Sequence, residues 1–192
     1  NGVGRLKDMA CRTLLLKLQS RGWIQLPPRQ GPSVNDRRNR GPAQMDCDDR
    51  PLCGPLASLR PLHMHVVSSG SPEAALCQGL LPRYHYLGHH NGVGENLKYL
   101  VRERQVRPAA CLLFGSAAWQ CQPRDAFIGW TSTERQRRLS LVTNNTRFLI
   151  LPWVQTPHLA SHLLTLITRR LSRDWQAKYG HPIDPVETFV ER

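Results

Sequence analysis

The residues best placed to do chemistry lie in a strand–loop–helix step, "RFLILPWVQTPHLASHLL" (147–164). An apolar run is broken at Pro152, crosses a few residues and enters a long helical pattern. The first amides of a helix have no partners within it, and they share its N-terminus with the positive end of the dipole. That combination suits an anion, so Trp153, Val154, Gln155, His158, Leu159, Ala160 and Ser161 are candidate cofactor-binding residues. A second phosphate-like word, "HNGVGENLKYLV" (90–101), has two glycines but no third glycine, no preceding buried strand and no Lys-Ser or Lys-Thr pair. It reads as a turn feeding a strand.

Two groups could move a proton. Asp125 follows Arg124 and precedes an apolar run, and Tyr86 alternates with Tyr84. Either is a candidate catalytic residue, with a local salt bridge as the competing reading for Asp125. Arg37, Arg38, Arg40, Arg135, Arg138 and Arg147 are candidate phosphate contacts, and Trp130 could stack on a base. Core packing competes for Trp130 and for Trp153. Asn144 and Asn145 are expected to fix a turn through their side chains.

No metal site is expected. Cys47 and Cys53, like Cys111 and Cys121, lack zinc-knuckle spacing and a completing pair. His63 and His65 share a strand face without further ligands. Asp46, Asp48 and Asp49 sit among linker residues beside arginines. Six scattered cysteines read as reduced thiols of a cytoplasmic protein.

The elements that must position these groups follow from periodicity. Residues 5–20 form an amphipathic helix stopped near Gly22, and the short extended "WIQLPP" follows, an order resembling the end of a winged helix. This segment, 1–28, is read as a helical DNA-binding-like remnant. Residues 29–55 are a basic linker rich in arginine, proline and glycine. From residue 56 to 192 strands and helices mix. Strands are expected at 61–67, 96–103, 109–119, 144–152 and 185–190. Helices are expected at 71–81, capped by Ser71, at 131–142, opened by a Thr131–Glu134 capping box, and at 158–180. In the last, Leu159, Leu163, Ile167, Leu171 and Trp175 recur four apart and should face the core. The fold class is α+β, a mixed sheet flanked by helices.

The formal charge of +12 over 192 residues favours a polyanionic partner, DNA first. No stretch of 18 apolar residues offers a membrane span. The chain starts at Asn1 and stops after "ETFVER", so it reads as a piece cut at both ends.

Two resemblances add to this. The 153–161 junction and the order of strands around the long helix resemble the GNAT acetyltransferases, in which a Gln/Arg-x-x-Gly-x-Gly/Ala pattern binds the acyl-CoA pyrophosphate. Gln155, His158 and Ala160 fill those places, with His158 where the family has glycine. The resemblance implies acetyl-CoA as a possible cofactor.

The ordered words "YHYLG", "LKYLV", "GSAAW", "RDAFIGW", "ERQRRLSLVTNNTRFLILPWV", "LASHLL" and "ETFV" together resemble the DruA family of bacterial anti-phage Druantia systems, often described as transposase-like. That resemblance runs over roughly residues 1–190. It implies a longer natural chain and a nucleic-acid-associated role in phage defence or mobile-element biology, with other defence proteins as partners. Positions matching its words include Tyr86, Gly88, Trp119, Arg124, Asp125, Gly129, Trp130, Asn144, Asn145, Arg147, Pro152 and Ser161.

Three functions stay open at this point: a nucleic-acid-associated defence component, an acyl-CoA-dependent N-acyltransferase, and a non-catalytic assembly subunit. If the chain is an enzyme, it is an acyltransferase or a nucleic-acid-modifying one.

Overall fold

A computed structural model of the chain describes residues 8–27, 47–88 and 94–189. The chain divides between Gly41 and Pro42 into two compact units.

In the first unit, α1 (Asp8–Ser20) ends in a glycine stop. Gly22 adopts φ +70°, and the Trp23 amide reaches back to the Leu18 carbonyl at 3.0 Å. Glycine takes this left-handed turn without the Cβ penalty that other residues meet. Leu14, Leu16 and Trp23 are exposed.

The second unit is an α+β fold. In chain order it contains β1 (Leu52–Cys53), α2 (Leu56–Leu59), β2 (His63–Val66), α3 (Pro72–Tyr84), β3 (Asn96–Arg102) and β4 (Pro108–Ser116). Then follow α4 (Gln122–Ile128), α5 (Ser132–Arg138), a 3-10 turn (Leu139–Leu141), β5 (Thr143–Ile150), β6 (Val154–Gln155), α6 (Leu159–Tyr179) and β7 (Val186–Glu187). Five strands form one mixed sheet in the order β2-β3-β4-β5-β7. The first three pairings are antiparallel. β7 joins β5 in parallel, with Thr143 opposite Val186 and Asn144 opposite Glu187. The parallel return is possible because the 21-residue α6 carries the chain back between them.

The core is built by the patterns the sequence carries. β4 lies in the middle of the sheet and is buried from Pro108 to Phe114. The expected four-residue stripe of α6, Leu159 to Trp175, is buried throughout. From α3 come Ala74, Cys77, Leu80 and Leu81. The Cys77 and Cys111 sulfurs lie 3.7 Å apart inside this core, both as free thiols.

Both expected helix starts are present. The Ser71 hydroxyl accepts from the Ala74 amide at 3.1 Å. At α5 the Thr131 hydroxyl accepts from the Glu134 amide at 3.3 Å, and the Glu134 carboxylate accepts from the Thr131 amide at 2.9 Å. The helix expected over 131–142 closes earlier, at Arg138, and continues as the 3-10 turn. Asn144 and Asn145 lie within β5 and not in a turn before it. A bulge falls between Leu113 and Phe114 of the partner strand, and the Asn145 amide bridges it by donating to the Leu113 and Arg147 carbonyls at 3.1 and 3.2 Å.

No helix is long and apolar enough to cross a membrane, among the described residues.

Candidate functional site

The connection from β4 to β5 brings together charged and aromatic groups singled out in the sequence. After Ser116 the chain leaves the sheet and makes two short helices at an angle set by one stop residue. α4 has Pro123 in its first turn and ends at Gly129, which is left-handed at φ +80°. Proline near the start and glycine past the end are what a short helix needs to begin and stop. The Trp130 amide closes the turn on the Asp125 carbonyl at 2.8 Å, and Thr131 then caps α5.

Within this turn Asp125 and Arg135 meet. The Asp125 carboxylate accepts from Arg124 at 2.9 and 3.0 Å on one oxygen and from Arg135 at 3.1 Å on the other. Arg124 extends further, donating to the Ala118 carbonyl at 2.9 Å and pairing with Glu187 of β7 at 3.3 Å. Two arginines and two carboxylates thus form a charge-neutral quartet that ties the excursion to the edge of the sheet. The Arg124 and Asp125 side chains are only 7% and 12% exposed.

Burial alone would raise the Asp125 carboxyl, but hydrogen bonds from Arg135 and Arg124 outweigh it and hold the group below its ordinary value. A carboxylate held down by two arginines is a weak base at neutral pH. Its geometry is that of a residue that positions guanidinium groups.

Beside the quartet lies a cavity of about 370 Å³ lined by Gln120, Gln122, Asp125, Ala126, Trp130, Ser132 and Arg135. Three residues singled out in the sequence, Asp125, Trp130 and Arg135, therefore share one wall. Arg135 Nε is buried without an acceptor among the described residues. Next in sequence to the lining residues Gln120 and Ala126 the chain exposes two large rings: Trp119 is 60% and Phe127 93% exposed. Arg137 and Arg138 are exposed on α5. Neither side chain donates a hydrogen bond or makes an ion pair within 4.0 Å among the described residues, although the charge of Arg138 helps to lower the Glu134 carboxyl.

The helix α4 and the lining groups Gln120, Gln122 and Ser132 were not read from the sequence. The Pro123–Gly129 spacing was the available signal.

The other candidates are placed differently. Trp153 is a core residue, its indole N–H donating to the Pro108 carbonyl at 3.1 Å and its ring meeting Tyr84 edge-on at 5.6 Å. Val154 and Leu159 are buried. Gln155 pairs with Cys53 through the small parallel β1–β6 ladder, and the Cys53 thiol lies 3.7 Å from its side-chain oxygen. His158 begins α6 in the left-handed conformation, φ +62°. The Leu159 amide makes a long 3.4 Å bond to the Thr156 carbonyl, and the His162 amide bonds to His158 at 3.1 Å. The amides of Ala160 and Ser161 have no acceptor among the described residues. Thr156 Oγ1 nearby is buried without a partner among the described residues.

Arg147 is used internally, donating to the Gly88 carbonyl at 2.8 Å and holding the 87–88 turn. Tyr86 is 72% exposed on that turn, stacked on His85 at 4.9 Å. Arg37, Arg38 and Arg40 lie outside the described residues. Among the described residues no group of three or more His, Cys, Asp and Glu could hold a metal ion. Asp48 instead pairs with Arg50 at 2.7 Å and Arg107 at 3.1 Å.

No curated protein matches the chain. A protein-family model does: the family described as Druantia protein DruA matches residues 45–189. This span takes in the whole five-stranded sheet, the α4–α5 excursion and the β5–α6 junction, and on this match the chain belongs to the Druantia DruA family.

Proposed function

We propose that this component of bacterial antiviral defence works at nucleic acid, through the face formed by α4 and α5. The observation that carries the reading is the convergence of Asp125, Trp130 and Arg135 on one cavity, in a β4–β5 connection that also exposes two arginines and two rings. Arginines supply the sequence-independent attraction to phosphates, and aromatic faces add stacking. The quartet fixes the platform: Asp125 and Glu187 spend their charge on Arg124 and Arg135 and so do not repel a phosphate. The formal charge of +12 supplies the long-range field. Family membership also implies partner proteins from the same defence system.

A mobility-shift titration of the chain against a DNA fragment tests this. The double variant Arg137→Glu, Arg138→Glu is expected to lose most of the binding while keeping the wild-type circular dichroism spectrum. Full retention of binding by the folded variant would reject α5 as the contact.

A second reading is favoured by a specific feature. His158 takes the left-handed conformation that glycine provides in the acyl-CoA motif, and the amides of Ala160 and Ser161 are open beside it. This supports an acyl-CoA pyrophosphate at the start of α6 and a GNAT-like transferase. Millimolar acetyl-CoA should then raise the melting temperature, because a ligand bound only by the folded state stabilises it. A bulky residue at position 160 should abolish the rise.

A further inference from the structure

The α4–α5 cavity has dimensions and wall chemistry that a double helix does not need. Phosphate contacts to a duplex require exposed cations on a convex or grooved surface. An open surface depression of about 370 Å³, lined by one tryptophan and two primary amides, has room for a small planar group. Its volume lies at the lower end of the range of about 300–1,000 Å³ that holds small-molecule ligands. Gln120 and Gln122 each bring an amide that can donate and accept. Ser132 adds a hydroxyl, and Trp130 adds a ring face. Asp125, the acidic group on the wall, has both oxygens occupied by arginines. Arg135, on the same wall, keeps one buried N–H without an acceptor among the described residues.

We propose that this cavity receives one unpaired nucleotide of a single strand, its base on the Trp130 ring and its edge met by the amides of Gln120 and Gln122. The adjoining phosphates run past Arg137 and Arg138, and the neighbouring bases meet the exposed rings of Trp119 and Phe127. The inference rests on the nucleic-acid reading above and narrows it to a strand whose bases are free. A paired base has its edge engaged and its faces covered by neighbours, so a duplex gains only the phosphate contacts.

The test is fluorescence anisotropy with the whole chain, using a labelled single-stranded oligothymidine and a labelled duplex of the same length. Wild-type protein should bind the single strand more tightly. Trp130→Leu should weaken single-strand binding about ten-fold, the scale of one lost base stack, and weaken duplex binding by less, so that the preference for the single strand falls.

Ala126→Phe provides a second variant, because Ala126 is an exposed wall residue and a larger side chain there fills the chamber without touching the core. It should reproduce the selective loss. Equal binding of strand and duplex by wild type, or full single-strand affinity in both variants, would overturn the cavity assignment while leaving DNA binding in place. Failure of either DNA to bind wild-type protein would overturn the nucleic-acid reading and the cavity assignment together.

Discussion

The β5–α6 junction and the α4–α5 excursion are both short, charged departures from the same sheet, yet they spend their polar groups in opposite ways. At the junction the large apolar side chains are taken into the fold: Trp153 donates to Pro108, and Val154 and Leu159 are buried. Left over are the two amides at the start of α6, beside the exposed His158 and Ser161 and the unpartnered Thr156 hydroxyl, among the described residues. In the excursion Gly129 stops α4 and Thr131 caps α5, although the start of α4 has no side-chain cap, and large side chains are left over. Trp119, Phe127, Arg137 and Arg138 face solvent, and a cavity opens beside Trp130 and Arg135. A region whose open groups are helix-start amides and small polar side chains suits a compact anion. A region that offers rings, amides and guanidinium groups suits a polymer carrying bases and phosphates.

The sharpest way to break the comparison is to damage the core and ask whether the excursion notices. Leu163 is fully buried on the α6 stripe. Leu163→Ala should cost about 3 kcal/mol in a denaturant titration, with DNA affinity of the remaining folded protein unchanged. A parallel loss of affinity would mean that the excursion depends on α6 packing.

Next in size is Asp125→Asn, which leaves Arg124 and Arg135 facing each other without their shared counter-charge. It should lower the melting temperature by less than the core substitution and weaken DNA binding by loosening Arg135. The pH dependence has a defined sign. A carboxyl whose folded pKa is depressed contributes stability above its unfolded pKa, about 3.9, and loses it as pH falls through the lower folded value. Wild type and variant should therefore differ in melting temperature at neutral pH and converge in acid, below about pH 4.

His158→Gly addresses the junction. Glycine takes φ +62° without the steric cost that histidine pays, although it loses more freedom on folding. The variant should be more stable by up to about 1 kcal/mol. If the amide pair of α6 is an acyl-CoA site, acetyl-CoA should stabilise this variant more than wild type.

The smallest effect should come from the far end of α6, where His181 Nε2 meets Glu95 at 2.8 Å. The Pro182 carbonyl at the other ring nitrogen, followed by Glu95, raises the imidazole pKa. A raised histidine stabilises fully below its unfolded pKa, about 6.5, and the contribution fades as pH rises through the folded value. His181→Gln should thus cost under about 1 kcal/mol at pH 6 and almost nothing at pH 9 in paired thermal melts.

Where local chemistry decides the outcome, the sequence was readable. The α6 stripe, the apolar run of β4, the Ser71 cap and the Thr131–Glu134 box each depend on residues within a few positions of one another. The α4 helix escaped because its apolar residues mislead: Phe127 and Ile128 sit on its exposed surface, so no buried periodicity marks it. The Arg124–Glu187 pair and the β1–β6 ladder escaped because their partners are 63 and 102 residues apart. For Trp153 stacking and core packing competed in the sequence, and the fold decides for the core by placing the Pro108 carbonyl opposite its N–H. Asp125, Trp130 and Arg135 were legible as individual candidates, but their meeting in one cavity depends on the turn at Gly129.

The most direct test of the central claim is the salt dependence of DNA binding by wild-type chain and by Arg137→Gln, Arg138→Gln. If the α5 arginines neutralise phosphates, the logarithm of the binding constant falls linearly with the logarithm of salt concentration. On a single strand the double variant should then show a slope shallower by about 0.7 for each contact removed. Identical slopes for the two proteins, or binding that ignores salt, would contradict the account.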